Sequence, residues 1–197
     1  MMPMTPSQRR GEKIAKVLSL RQPDLTVVLE NIHDPHNVSA VLRSCDAVGV
    51  LRVELLYTVE KFPRLGKKSS SSANKWIEVR KHRSVDGCFA ELRGEGFLIC
   101  ATHLGGSSVS LYELDLAKKV ALVFGNEHRG VSDEAAAKAD RNFQIPMMGM
   151  IQSLNVSVAC AVSLYEALRQ RLARGDLNRS KLAESDLHDL YEDWITR

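Results

Sequence analysis

Several common chemistries lack their signature in this chain. Its six histidines show no H-E-x-x-H or similar ligand spacing, so metal catalysis finds no support. Its four cysteines, Cys45, Cys88, Cys100 and Cys160, form no C-x-x-C pair. Each sits in an apolar context, which reads as reduced core thiols of a cytoplasmic protein rather than a disulfide framework or zinc site. No apolar run approaches the ~18 residues of a membrane helix, and the basic start leads into no signal-like apolar stretch. Neither G-x-G-x-x-G nor a Walker loop occurs, which argues against a generic nucleotide-binding domain. No internal repeat or linker stands out.

What is present fits one globular domain with terminal extensions. The 197 residues are 44% hydrophobic and 26% charged, enough for a sizeable core. The net charge is only +3, but it is unevenly distributed. Residues 1–21 and 169–181 each carry a formal +4, whereas 182–197 carries −4. Two basic segments flank a nearly neutral middle, a pattern suited to a polyanion such as RNA, although charge runs are also ordinary solvated faces.

Alternation of apolar strands and helices predicts an α/β fold. Strands are expected at 24–29, 52–57, 76–79, 97–101, 120–124 and 143–145. Helices are expected from Pro6 onward, at 37–48, 85–93, 132–138 and 154–173, and in the tail at 185–194. Near-continuous apolar strands predict a mostly parallel sheet with helices on both faces. Ligands of such sheets bind beyond the carboxyl ends of the strands. The division expected is a basic helical extension at 1–22, a catalytic domain at 23–173 and a helical extension at 174–197. The helix from 154 starts apolar nearly all round, so it needs cover on every side, either within the domain or across a homodimer.

Three segments could carry chemistry. At 37–43, Asn37 stands where a helix cap is expected. Arg43 sits among apolar neighbours and needs a carboxylate, for which Asp46 is available, or an anionic ligand. At 125–132, Gly125-Asn-Glu127 follows a buried strand, with glycine allowing close backbone approach. At 145–159, a strand end leads through a Met-Gly-Met loop to Ser153 and Asn155, both able to cap the next helix.

Together these segments resemble the three motifs of the SpoU-type RNA ribose 2′-O-methyltransferases of the SPOUT superfamily. The patterns are N-x-[GS]-A-x-x-R, G-x-E-x-x-G-[IV]-S and I-P-M-x-G-x-x-x-S-L-N-V-S-x-A, in the same order and at similar separations. Residues 21–26 and 169–171 are similar to the TrmH group, whose target is the guanosine at position 18 in the D-loop of transfer RNA. The resemblance implies a C-terminal deep trefoil knot, a homodimer and S-adenosylmethionine as methyl donor. It places Thr102, Gly125, Ile145 and Leu154 at the donor. It assigns catalysis to Arg43, supported by Asn37, Glu127, Ser153 and Asn155. It gives Arg10, Lys13, Arg21, His36, Arg169, Arg171 and Arg179 to the RNA. Ser39 replaces a common glycine of the family, and the serine-rich loop 67–74 replaces a glycine-richer one. Alternatives are a wobble-position or ribosomal RNA target, or a non-catalytic RNA-binding knot protein.

Overall fold

The computed structural model describes residues 6–63 and 73–197. The loop singled out at 67–74 therefore lies mostly outside the described residues. Seven strands form one sheet: β1 (Leu25–Glu30), β2 (Arg52–Leu56), β3 (Glu78–His82), β4 (Leu98–Thr102), β5 (Val109–Ser110), β6 (Val120–Phe124) and β7 (Arg141–Gln144). Their order is β3-β2-β1-β6-β4-β7-β5, and every pairing is parallel. The central strands β1 and β6 are buried at every position, which is why their sequences run apolar instead of alternating. Only β5 escapes the sequence reading, since two residues carry no periodicity.

The helices are α1 (Pro6–Ser19), α2 (Pro35–Val48), α3 (Val85–Gly94), α4 (Asp133–Lys138), α5 (Val156–Arg174) and α6 (Glu184–Thr196). Two cores lie on opposite faces of the sheet. One joins Val38, Val41, Leu42 and Cys45 of α2 to Cys160, Leu164 and Ala167 of α5. The other joins α3 and α4 through Phe89, Leu92 and Ala135. All four cysteines are buried and free. Burial, with a hydrogen bond to Cys45, pushes the Cys160 thiol well up and keeps it protonated.

The two terminal extensions form a single unit. Ile14 and Leu18 of α1 pack with Trp194, Leu190 and Tyr191 of α6. This unit consumes one expected RNA contact. Arg21 is 1% exposed, donates to the Val50 carbonyl at 2.9 Å, pairs with Asp46 at 2.5 Å and lies under the Trp194 ring. In this structure its charge is spent within the fold and not presented at the surface.

Arg171 requires the same correction. It is fully buried and donates to the carbonyls of Leu116, Lys118 and Asp24 and to the side chains of Gln22 and Asp24. All five guanidinium N–H groups are thereby occupied. Sequence spacing showed two more arginines in basic segments and held no sign that acids distant in sequence would claim them.

Candidate active site

The carboxyl ends of β1, β4, β6 and β7 converge on the loops that hold the motif residues. A cavity of about 590 Å³ opens there. Its lining includes Thr102 at the end of β4, Gly125 after β6, Ile145 after β7, and Ser153, Leu154 and Asn155 before α5. The four residues assigned to the donor thus share one cavity.

The caps differ from expectation, and the difference matters. Asp34 caps α2, accepting from the His36 amide at 2.8 Å, with Pro35 following. Asn37 therefore lies inside the first turn, and its side chain is free for other work. Its Nδ2 donates to Glu127 Oε1 at 2.8 Å, and its Oδ1 accepts from Asn155 Nδ2 at 3.1 Å. Asn155 alone caps α5, accepting from the Ser157 amide at 2.8 Å. Ser153 stands outside the helix, exposed on the cavity wall.

Glu127 anchors this chain of amides. Its carboxylate also accepts from the backbone of His33 at 2.9 Å and Asp34 at 3.2 Å, just before α2. Burial alone would raise its pKa, but these donors, led by Asn37, outweigh it and hold the carboxyl below the usual range. One network thus ties motif one to motifs two and three across 90 and 118 residues of sequence.

Arg43 is not part of this network. It is exposed on α2, two turns beyond Pro35, and meets no carboxylate among the described residues. Asp46, its expected partner, is taken by Arg21. Nor does Arg43 line the cavity of its own chain. A permanent cation without a protein counter-ion is available to an anionic ligand.

Gly125 serves a purpose beyond ligand approach. A Cβ there would come within 2.1 Å of the Gly130 and Val131 backbone, so the folded-back loop 126–131 requires glycine. Beyond β7 the chain is held differently. Among the described residues, no backbone–backbone hydrogen bond secures 147–154. Leu104, Ile151 and Leu154 stay exposed beside this segment, where the Gly149 carbonyl accepts from Gln152 Nε2 at 2.7 Å.

Sequence reasoning missed two organising residues. Asn31, at the end of β1, adopts a φ of 50°. Its Oδ1 accepts from the amides of Thr58, Val59 and Glu60 at 3.0, 3.0 and 3.1 Å. Its own carbonyl accepts from Asn126 Nδ2 at 2.7 Å, and Asn126 in turn holds the His128 amide. The signal available was an asparagine directly after an apolar strand, a residue that tolerates the left-handed region.

The remaining expected RNA contacts lie on the surface. Arg10 and Lys13 on α1, His36 on α2, and Arg179 after α5 are exposed. Arg169 is exposed as well, but both its Nε and Nη2 donate to Glu166 at 2.8 Å, which neutralises much of its charge.

Comparison with known proteins adds to this geometry. Residues 24–165 match the SpoU rRNA Methylase family. The tRNA (guanosine(18)-2′-O)-methyltransferase of Thermus thermophilus is 45% identical over 191 residues, covering 97% of this chain and 98% of that protein. The crystal structure of the Aquifex aeolicus TrmH/SpoU tRNA modifying enzyme superposes with a TM-score of 0.91 at 38% identity, covering 98% of both chains. An AdoMet-bound rRNA methyltransferase from Sinorhizobium meliloti reaches a TM-score of 0.68 at 27% identity, over 79% of this chain and 59% of that one. With its three motifs drawn together at the carboxyl end of a parallel sheet, this chain belongs to the SpoU methylase family.

Proposed function

We propose that the chain transfers a methyl group from S-adenosylmethionine to the ribose 2′-hydroxyl of guanosine 18 in transfer RNA. The observation that carries this is the joining of Asn37, Glu127 and Asn155 beside a cavity lined by Thr102, Gly125, Ile145 and Leu154. Near-full-length similarity to the Thermus enzyme supports the target. Similarity to the Aquifex structure extends over the terminal helices as well as the sheet.

The cavity residues fit the donor. Leu104, Ile145, Met147 and Leu154 offer apolar walls, and Gln152, Ser153 and Asn155 offer polar edges at the same mouth. S-adenosylmethionine supplies an electrophilic methyl on a sulfonium. The chain must hold the ribose, stabilise charge on its 2′-oxygen and let the proton leave. A guanidinium keeps its proton in proteins, so Arg43 does not serve as a plain base. It stabilises the developing oxyanion instead, and an RNA phosphate paired with it helps take the proton. Asn37, fixed by Glu127 and Asn155, holds the first turn of α2 in register with the cavity. Ser153 acts from the cavity wall.

The active unit is a homodimer. Val158, Tyr165 and Leu172 form an exposed apolar stripe along α5, continued by half-buried Ala161, Val162 and Leu168. Such a stripe calls for a second apolar surface. The return of α5 from β7, which lies between β4 and β5, onto α2 is consistent with the family's trefoil knot. Arg10, Lys13, His36, Arg169 and Arg179 are assigned to RNA phosphates. No helix among the described residues is long and apolar enough to cross a membrane, and the free cysteines suit a cytoplasmic setting.

Incubation of unmodified transfer RNA with labelled S-adenosylmethionine, followed by nucleoside mass spectrometry, tests this reading. The expected product is 2′-O-methylguanosine at position 18. Methyl on another nucleotide overturns the target, and no transfer to any RNA overturns the activity.

A further inference from the structure

The strand at one edge of the sheet carries two cations with no role in the site described. Along β3, successive side chains face opposite ways. Arg80 meets Glu78, Glu91 and Glu95, and His82 Nε2 lies 2.7 Å from Glu54. Val79 packs into the core beneath α2 and α5, so Lys81 shares that face. Arg83 follows directly after the strand. Both Lys81 and Arg83 are exposed.

Both gather on one ring. Phe62, after β2, packs against Tyr57 with 5.1 Å between centroids. The Arg83 guanidinium lies 4.1 Å from the Phe62 centroid and the Lys81 ammonium 5.2 Å. Neither cation meets an acid among the described residues. The sequence 61–75 holds Lys61, Arg64, Lys67, Lys68 and Lys75 and no acidic residue, so that connection supplies nothing to neutralise them. Two like charges placed together without a counter-ion form a site for an anion.

Strand register sets the level of this pair. Glu30 pairs with Leu56, and Leu56 with His82. Lys81 and Arg83 thus stand level with the end of β1, two strand spacings away, about 10 Å. On α2, His36, Ala40 and Arg43 fall at i, i+4 and i+7, on one side of the helix.

We propose that Lys81 and Arg83, braced on Phe62, bind the phosphate backbone of the RNA next to the methylated nucleotide. The proposal rests on the reading of the chain as an RNA ribose methyltransferase. The aromatic brace limits the rotamers of both side chains and lowers the ordering cost of a phosphate contact. Arg83 offers a planar fork and Lys81 a point charge.

The test compares the full chain with Lys81→Ala/Arg83→Ala, using unmodified transfer RNA. The expected result is a KM for RNA raised about tenfold. Log affinity against log salt becomes shallower by about 1.4, or ~0.7 for each lost contact. KM for S-adenosylmethionine and the rate at saturating RNA stay within about twofold. An unchanged RNA KM with an unchanged salt slope overturns the proposal. So does a loss of RNA affinity that only tracks a loss of folded protein in thermal melting. Phe62→Leu keeps both charges, so its salt slope stays that of the parent while KM rises about threefold. A Phe62→Leu slope as shallow as the double variant's overturns the assignment of charge to Lys81 and Arg83. If the parent chain methylates no RNA at all, the underlying activity fails instead, and that result is read before any variant is compared.

Discussion

At the amino end of the sheet, Arg171 donates all five of its N–H groups to carbonyls and side chains around Asp24, and Arg52 meets Glu95 through two hydrogen bonds of 3.0 and 2.7 Å. Lys81 and Arg83 at the carboxyl end, and Arg43 part-way along α2, meet no acid among the described residues. The same residue types therefore do opposite work at the two ends of one sheet. The buried Arg171 guanidinium, with every donor filled, knits α5, β1 and the approach to β6 together. Exposed ones without partners leave their charge for a ligand. The acids follow the same division. Asp24, Asp46 and Glu95 neutralise arginines, whereas Glu127 binds only neutral amides and backbone.

The largest effect expected from this contrast is on stability. Arg171→Ala leaves half-buried Asp24 with Lys181 as its remaining cation and strips the donors from three carbonyls and Gln22, and should cost about 3–5 kcal/mol in urea unfolding. A variant that folds like the parent and loses only RNA binding breaks the comparison at its amino end. Arg43→Ala is the mirror case. It should lower methyl transfer at saturating substrates by about 10²–10³-fold while shifting stability by no more than about 0.5 kcal/mol. Near-normal transfer by a folded Arg43→Ala removes the catalytic role.

Smaller effects sharpen the picture. Val158→Asp places a charge in the apolar stripe of α5, and sedimentation should show monomers where the parent sediments as a dimer. A parent that is itself monomeric sinks the dimer reading. Glu127 provides a pH signature. Its folded pKa is depressed, so its contribution to stability is complete above the ordinary glutamate value of ~4.3 and fades as pH falls through the lower folded value. Glu127→Gln should remove that part of the acid-side slope in stability against pH, and an unchanged slope denies Glu127 its anchoring role. Smallest of all, Lys13→Ala should flatten the salt dependence of RNA binding by about 0.7, with melting unchanged. No change in that dependence excludes Lys13 from the interface.

Much of the fold was legible because its signals are local. Buried strands such as 120–124 announce themselves by apolar runs, and α4 begins at Ser132 where a serine precedes two acids. Gly49 ends α2 with a φ of 85°, as a glycine after the last apolar residue suggests. The site was legible through its motifs. The misreadings share one cause. Sequence places Asn37 at a cap because capping is the commonest local use of asparagine, yet Asp34 does that work. Asp46 was offered to Arg43 by helical spacing, yet Arg21 reaches it from 25 residues away. In each case a partner distant in sequence outcompeted the near one.

The sequence by itself determined the layered α/β fold, the three motif segments and the basic flanks, since these depend on periodicity, capping and composition along the chain. Tertiary structure alone decided which arginines are buried and which are free. Burial and counter-ions are properties of chain segments brought together by folding, and Asp24 and Arg171 are 147 residues apart before that happens. The same holds for the network from Glu127 through Asn37 to Asn155. Each residue is visible in the sequence, but the hydrogen bonds that make them one device exist only where the carboxyl ends of the strands meet.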